Sequence, residues 1–273
     1  MICAFIGPAK TRTSSIYEAA LELFPKNCYS GIKESYFHSF EESYKTYYKS
    51  VLPKREFLKR HHVEIQKMIS SSSDPFFIFE PSYALSARSN LSFINDILCI
   101  LTVRDPVKRL ISHYNMDLTF GLSKTDISKE LEDKCKYEQY VQNSKYYDLI
   151  QLWMEQKPGQ LVIGDFEERK LYFTKNIKKH DEVLLKIRDI LRKSTEIKSN
   201  EAFAFRFSFI KKTLRSEIYK KYKSYFPQKL KRILKTKNKS KDLHIPKKIV
   251  EDIENNYLQY KKTVHTSFNS INF

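Results

Sequence analysis

Residues 2–15, Ile2-Cys3-Ala4-Phe5-Ile6-Gly7-Pro8-Ala9-Lys10-Thr11-Arg12-Thr13-Ser14-Ser15, decide how the rest of the chain is read. The apolar opening predicts a strand over 2–6, short and buried on both faces as in a parallel sheet. A helix-period segment over 14–23 follows. Between them lies a loop that opens directly into the helix. In that context the unpaired backbone N–H groups of the first helical turn, and the helix dipole, point at whatever sits beyond the strand end. Lys10 adds a point charge able to reach terminal and bridging oxygens of an oxyanion, and Thr11, Thr13, Ser14 and Ser15 add hydroxyls. The nucleotide-triphosphatase loop ends in Gly-Lys-Ser/Thr; here Lys10 precedes the hydroxyl cluster and has no glycine before it. The competing reading is a hydroxyl-rich N-cap on an ordinary helix.

Working outward, strand-like runs recur at 76–79, 97–103 and 160–163, with a shorter one at 29–32. Helix-period segments over 56–70, 106–118, 145–154 and 181–192 alternate with them, which predicts an α/β sheet with crossover helices. Past about residue 200 the strand signal stops. Segments 214–225, 228–235 and 246–262 read as helices punctuated by Pro227 and Pro246, with 70–74 and the Lys-rich 235–241 as loops. The expectation is one domain over 1–273: an α/β core over 1–200 built on a P-loop-like parallel sheet flanked by helices, and a mainly helical C-terminal extension over 201–273. The sequence has no internal repeats and only five glycines, so each glycine has potential positional meaning.

A second oxyanion site is predicted where the run 97–103 ends in Arg104-Asp105-Pro106-Val107-Lys108-Arg109-Leu110-Ile111-Ser112-His113-Tyr114. Pro106 suits the first turn of a helix, where its missing N–H costs nothing. Arg104 then sits at a strand end and Ser112 about two turns into the helix, so a guanidinium and a hydroxyl can grip one phosphate. Ligands of open α/β sheets bind at the carboxyl ends of strands, where both sites would lie. A capped helix with an Asp105–Arg109 pair is the alternative. Arg109 reads either as a ligand or as structural, and His113 either as a base or as packing.

Ser30-Gly31-Ile32-Lys33-Glu34-Ser35-Tyr36-Phe37-His38 carries an adjacent acid–base pair. A carboxylate here can act as a general base, whereas a surface Lys–Glu pair is the plain alternative. Phe79-Glu80-Pro81-Ser82-Tyr83 follows the second strand. Asn143-Ser144-Lys145-Tyr146-Tyr147 opens the helix that contains Trp153. Lys211, Lys212 and Arg215 are weaker candidates for closing over phosphates.

The loop resembles the 5′-phosphosulfate loop of PAPS-dependent sulfotransferases, Pro-x-Lys-Thr-Gly-Thr-Thr, with Pro8, Lys10, Thr11, Thr13 and Ser14 on the pattern and Arg12 in place of the small residue. The second segment is similar to the family's 3′-phosphate site, Arg-x-Pro-x-x-Arg-x-x-Ser-x-Tyr, through Arg104, Pro106, Arg109, Ser112 and Tyr114. The segment with Lys33, Glu34, Tyr36 and Phe37 resembles the Lys-Glu-x-x-Phe-Phe of the carbohydrate, glycosaminoglycan-type branch. The small-molecule branch uses a histidine base instead. The family's Glu-Lys-Thr-Pro-Ser-Tyr segment is met by Glu80 to Tyr83, but its Lys is missing here. The similarity spans roughly residues 2–170.

The resemblance implies PAPS as sulfuryl donor, no metal, and a hydroxyl or amine of a carbohydrate or glycolipid, anionic ones included, as acceptor. It implies Glu34 as base, with Lys10 and Lys33 as active-site cations. Ala9, Lys10, Thr11, Arg12, Thr13, Ser14, Arg104, Ser112 and Tyr146 would hold the cofactor, and Ser82 and Tyr83 the acceptor.

Composition bounds these readings. With 30% charged residues the chain is not a purely membrane-embedded protein, and its start lacks the basic flank and apolar length of a signal peptide, so a cytoplasmic enzyme is expected. The formal charge of +17 favours anionic partners, including peripheral contact with a membrane surface. Two other classes compete. A nucleic-acid-binding module would need its aromatics interleaved with Lys on one face, and a nucleotide kinase would need the Gly-Lys-Ser/Thr that is missing. The four cysteines lack metal or redox spacing; Cys3 and Cys99 fit buried free thiols.

Overall fold

The computed structural model describes residues 1–30, 55–72, 75–80, 97–120, 122–123, 126–156, 159–174, 177, 181–197, 203–205, 235–237 and 243–273. In chain order the elements are β1 (Ile2–Phe5), α1 (Thr13–Leu23), α2 (Arg55–Ser71), β2 (Phe76–Phe79), β3 (Ile97–Val103) and α3 (Pro106–Phe120). Then come α4 (Ile127–Glu130), α5 (Lys134–Tyr140), α6 (Tyr146–Gln156), β4 (Leu161–Asp165), β5 (Lys170–Phe173) and α7 (Asp181–Glu196). The last are β6 (Phe203–Phe205), β7 (Lys235–Lys237), α8 (Lys247–Ser267) and β8 (Asn269–Asn272).

The main sheet has the order β2-β1-β3-β4-β5-β8, with β1 to β4 parallel and β5 antiparallel to both its neighbours. The strands are continuous apolar runs because helices cover both faces. All seven residues of β3 are buried. Alternation splits them: Ile97, Cys99, Leu101 and Val103 meet α2, α6 and α8 through Ile65, Trp153 and Tyr260. Leu98 and Ile100 face α1 and α7 through Ile16, Ala19 and Ile187. Each such aliphatic side chain, removed from water, contributes about 1.5–3 kcal/mol. Cys3 and Cys99 are buried free thiols within these layers, and burial pushes the Cys3 thiol up to about 12.

The chain runs from β1 to β2 on one side, then crosses to β3 on the other. β1 and β3 therefore flank a switch point, where diverging connections leave a crevice at the carboxyl edge.

Three expectations change. The run at 29–32 contributes only a parallel bridge from Tyr29 to Phe77, with residues 31–32 outside the described ones. The tail is not purely helical. After α8, residues 269–272 (NSIN) add the edge strand β8 to β5, and Lys235–Lys237, read as loop, pairs with Phe203–Phe205. Neither polar segment has strand propensity of its own; pairing with an available edge overrides it. The hairpin strand β5 was also not anticipated, and the 214–225 and 228–235 helices lie largely or wholly outside the described residues.

The α8 helix is locked to the sheet by polar contacts. Asp165, fully buried at the end of β4, accepts from Tyr260 Oη and Lys261 Nζ, each at 2.8 Å, and from the N–H groups of Glu167 and Glu168. Asn256 accepts from the Tyr147 N–H at 2.9 Å and donates to Asp148 at 2.7 Å, joining α8 to α6. Glu168 completes the lock with Lys261 at 2.5 Å, His265 at 3.1 Å and the Tyr172 hydroxyl. Partial burial pushes the Glu168 carboxyl up, but these three partners outweigh it and hold the group at about 2. A carboxyl lowered in the folded state stabilises fully above its ordinary value of 4.5, and the contribution is lost as pH falls through about 2. Urea unfolding of wild type and Glu168→Gln should therefore show a stability gap near neutrality that closes across that window. A gap independent of pH would remove Glu168 from the lock.

Candidate functional site

The crevice at the carboxyl edge of β1 and β3 brings both predicted oxyanion motifs together. Gly7 leaves β1 so close to β3 that a Cβ on it would lie 1.8 Å from Thr102 Oγ1. Only glycine fits. Thr11 is turned inward and fully buried, donating to the Pro8 carbonyl at 2.7 Å. With its proton spent there, its oxygen accepts from the Thr102 hydroxyl at 2.7 Å. Its hydroxyl braces the loop against β3, and its N–H also returns to Pro8 O at 3.2 Å.

Arg104 Nη1 donates to the Lys10 carbonyl at 3.2 Å, and Arg109 Nη1 donates to the Ala9 carbonyl at 3.2 Å. The two motifs, about ninety residues apart in the chain, are thus in direct contact. Ala9, Lys10, Ser14 and Arg104 are half-buried, and Thr13 is buried at the first turn of α1. That helix has no side-chain cap and no acidic residue in its first turn, and its dipole presents its positive end to the crevice. Ser112 lies half-buried on α3.

Arg12 explains its own departure from the family pattern. It takes φ 63° and ψ 18°, the left-handed conformation that glycine enters freely, so the arginine preserves the backbone a glycine would give at a cost of about 1–2 kcal/mol. Its guanidinium goes to the end of α7, donating to Ser194 O at 3.4 Å and covering the Phe166 ring at 5.4 Å. The described position of Arg12 is therefore a brace between α1 and α7.

Arg109 is fully buried and structural, with contacts to Ser144, Gln139 and Tyr140 besides Ala9. Burial lowers its pKa to about 10, partly opposed by Tyr146 and reinforced by Arg104, so it stays charged at neutral pH. His113 is buried, stacked edge-on against Tyr140, and driven well below its ordinary pKa by burial and by Arg109, Lys10 and Lys136. It is a neutral packing residue. Tyr146 is fully buried against Tyr257 and Tyr260, its phenol pushed up by burial and drawn partly back by Arg109 and Arg104. Glu80, at the end of β2, is fully buried, its N–H bonded to Phe5 O at 2.9 Å. Lys33, Glu34, Ser82, Tyr83, Lys211, Lys212 and Arg215 lie outside the described residues. Sequence reasoning missed Thr102 and Ser144; the one signal for Thr102 is that it is the only polar residue in an apolar strand.

No family model matches the sequence, and no curated protein matches it. Among solved structures the chain is similar to a sulfotransferase from Alicyclobacillus acidocaldarius, 16% identical over 72% of this chain and 83% of that one, with a TM-score of 0.48. It is also similar to retinol dehydratase in complex with androsterone and the inactive cofactor PAP, 12% identical over 96% of this chain and 80% of that one, TM-score 0.36. A retinol dehydratase complex with retinol and PAP is 12% identical over 98% and 82%, TM-score 0.35. Among the described residues no helix is long and apolar enough to cross a membrane, and no three His, Cys, Asp or Glu side chains are grouped to hold a metal.

The Arg12 backbone gives a test of the loop geometry. At a positive φ any residue with a Cβ is strained, so alanine at position 12 should cost about 1 kcal/mol relative to glycine. Arg12→Gly should therefore be more stable than Arg12→Ala in urea unfolding. Equal or opposite ranking would contradict the left-handed conformation.

Proposed function

We propose that this chain is a PAPS-dependent sulfotransferase acting on a hydroxyl or amine of a carbohydrate or glycolipid. The observation that carries the reading is the contact of the two motifs, with Arg104 Nη1 3.2 Å from Lys10 O at the crevice between β1 and β3. One ligand with phosphates at both ends of a nucleoside would engage both. The residues present suit such a group: an uncapped helix start, a lysine and an arginine at its edge, and a buried Arg109 behind it.

When bound, PAPS supplies a sulfuryl group on a phosphate leaving group. The loop opening into α1, with Lys10, would hold the 5′ end, and Arg104 with Ser112 would hold the 3′-phosphate. Lys10 offsets charge on the departing phosphate. Glu34 would take the acceptor proton in the sulfuryl transfer, with Lys33 as a further cation. Support for Glu34 comes from the approach to it. Ser30, the last described residue before it, bonds Phe77 O at 3.0 Å, in a stretch running parallel to β2 toward the same carboxyl edge. Tyr146 supports the cofactor side from within the core, and Ser82 and Tyr83 follow Glu80 on the acceptor side. The Lys33–Glu34 segment favours the carbohydrate branch, and the +17 charge suits an anionic acceptor.

Calorimetric titration with adenosine 3′,5′-bisphosphate tests the cofactor. Binding is expected, and Arg104→Ala should weaken it by about 2 kcal/mol, roughly thirtyfold, as for a charge-assisted contact. Unchanged affinity would remove Arg104 from the 3′-phosphate. For the base, Glu34→Gln should retain that binding yet lose about 10²–10⁴ in sulfuryl-transfer rate. Full turnover in this variant would exclude Glu34.

A further inference from the structure

Arg109 lies behind the loop, with no surface exposed. A guanidinium has five N–H donors, and all five are matched here. Nε donates to Ser144 Oγ at 2.8 Å, Nη2 to the carbonyls of Gln139 (3.1 Å) and Tyr140, and Nη1 to Ala9 O at 3.2 Å and His113 Nδ1 at 3.4 Å. Because a guanidinium can only donate, Nδ1 of His113 must accept. None of the five acceptors is a carboxylate. Ser144 is itself fixed, its oxygen within 3.1 Å of Pro106 O and 2.9 Å of Tyr140 O. The arginine therefore ties α3, the end of α5 and the 142–144 turn to one carbonyl of the first loop.

That carbonyl matters because the Ala9 C=O and the Lys10 N–H belong to one planar peptide and point in opposite directions. Holding Ala9 O toward the interior turns the Lys10 N–H outward, and Lys10 keeps the left-handed φ of 76° that the next turn requires. From this geometry we infer that Arg109 is a positioning residue: it sets the Ala9–Lys10 peptide and, through it, the affinity of the loop for a 5′-phosphate. The inference rests on the proposed function for its ligand. It assigns to Arg109 a role separate from that of Arg104, which meets the opposite end of the nucleotide.

The experiment compares full-length wild type with Arg109→Lys, which keeps the charge but cannot reach all five acceptors. Two probes are titrated calorimetrically, adenosine 3′,5′-bisphosphate and adenosine 3′-monophosphate, and amide hydrogen exchange is followed at Thr11 and Ile6. The expected result is a loss of at least about tenfold for the bisphosphate, with less than about twofold for the monophosphate, as for a misplaced binding group. Thr11 exchange should rise while Ile6, paired to Ile100 O at 2.9 Å in the sheet, stays protected. A purely structural arginine would weaken both ligands alike, and that outcome, or no change, overturns the inference. Should Arg109→Lys fail to fold, Ser144→Ala removes the Nε acceptor alone and should change the ratio of the two affinities in the same direction. An unchanged ratio overturns the inference there too. If wild type binds neither nucleotide, the proposed function fails and the 5′-phosphate role with it; unaltered Thr11 exchange would then also overturn the positioning of the loop.

Discussion

The carbonyls of Ala9 and Lys10 each accept a hydrogen bond from a guanidinium of the segment after β3, and the site depends on that pair of contacts. Backbone carbonyls at the edge of a crevice would repel an anion if left facing it. Turned toward Arg109 and Arg104, they are satisfied within the protein. The glycine at position 7 makes this possible, since any side chain there would displace β3 at Thr102. The loop's shape is thus dictated by its neighbour as much as by its own sequence.

This arrangement needs a rigid backing. Arg109 is buried without a carboxylate partner, and a buried charge is tolerated only where hydrogen bonds replace its hydration. The five acceptors come from β1's loop, α3, the end of α5 and the turn before α6, so the cost of burying the charge is met only when all of these dock together. The sheet supplies the register: β1 and β3 pair from Ile2–Ile97 to Phe5–Ile100, and β3 runs on to Val103, which sets Thr102 beside the Gly7 that follows β1. The Asp165 cluster fixes α8 over the same face as α6, and Tyr146, fully buried beneath Arg104, packs against Tyr257 and Tyr260 of that helix.

The core strands were legible because burial on both faces leaves a continuous apolar signature, and 76–79 and 97–103 keep those bounds in the structure. The strands β7 and β8 were not, because a polar segment such as NSIN becomes a strand only through a partner that the local sequence does not contain. The site shows the same division. Lys10 and Arg104 could be placed at one sheet edge from motif and strand order. The inward turn of Thr11 could not, since it depends on Thr102, ninety-one residues away. The sequence left Arg109 open between ligand and support, because the same residue type at the same spacing serves either role. What separates them is burial, which is a property of the assembled fold.

Arg12 illustrates how far a motif can drift while its physics stays in place. The pattern's small residue exists to allow a left-handed backbone, and an arginine at φ 63° meets that demand at a cost its other contacts can offset. The end of α7 offers unpaired carbonyls and a negative dipole, and Ser194 O takes the guanidinium there. Arg12 is thereby braced on α7 while its charge still acts on that of Arg104. Burial first, and then the nearby Arg109, Lys10 and Lys136, press His113 toward its neutral form. Lys136 is neutralised by Asp117 at 2.8 Å, but the hydrogen bonds of Arg104 and Arg109 run to carbonyls, a serine and an imidazole. Arg104 and Arg109 thus stand beside the uncapped start of α1, their charge met by hydrogen bonds to neutral acceptors.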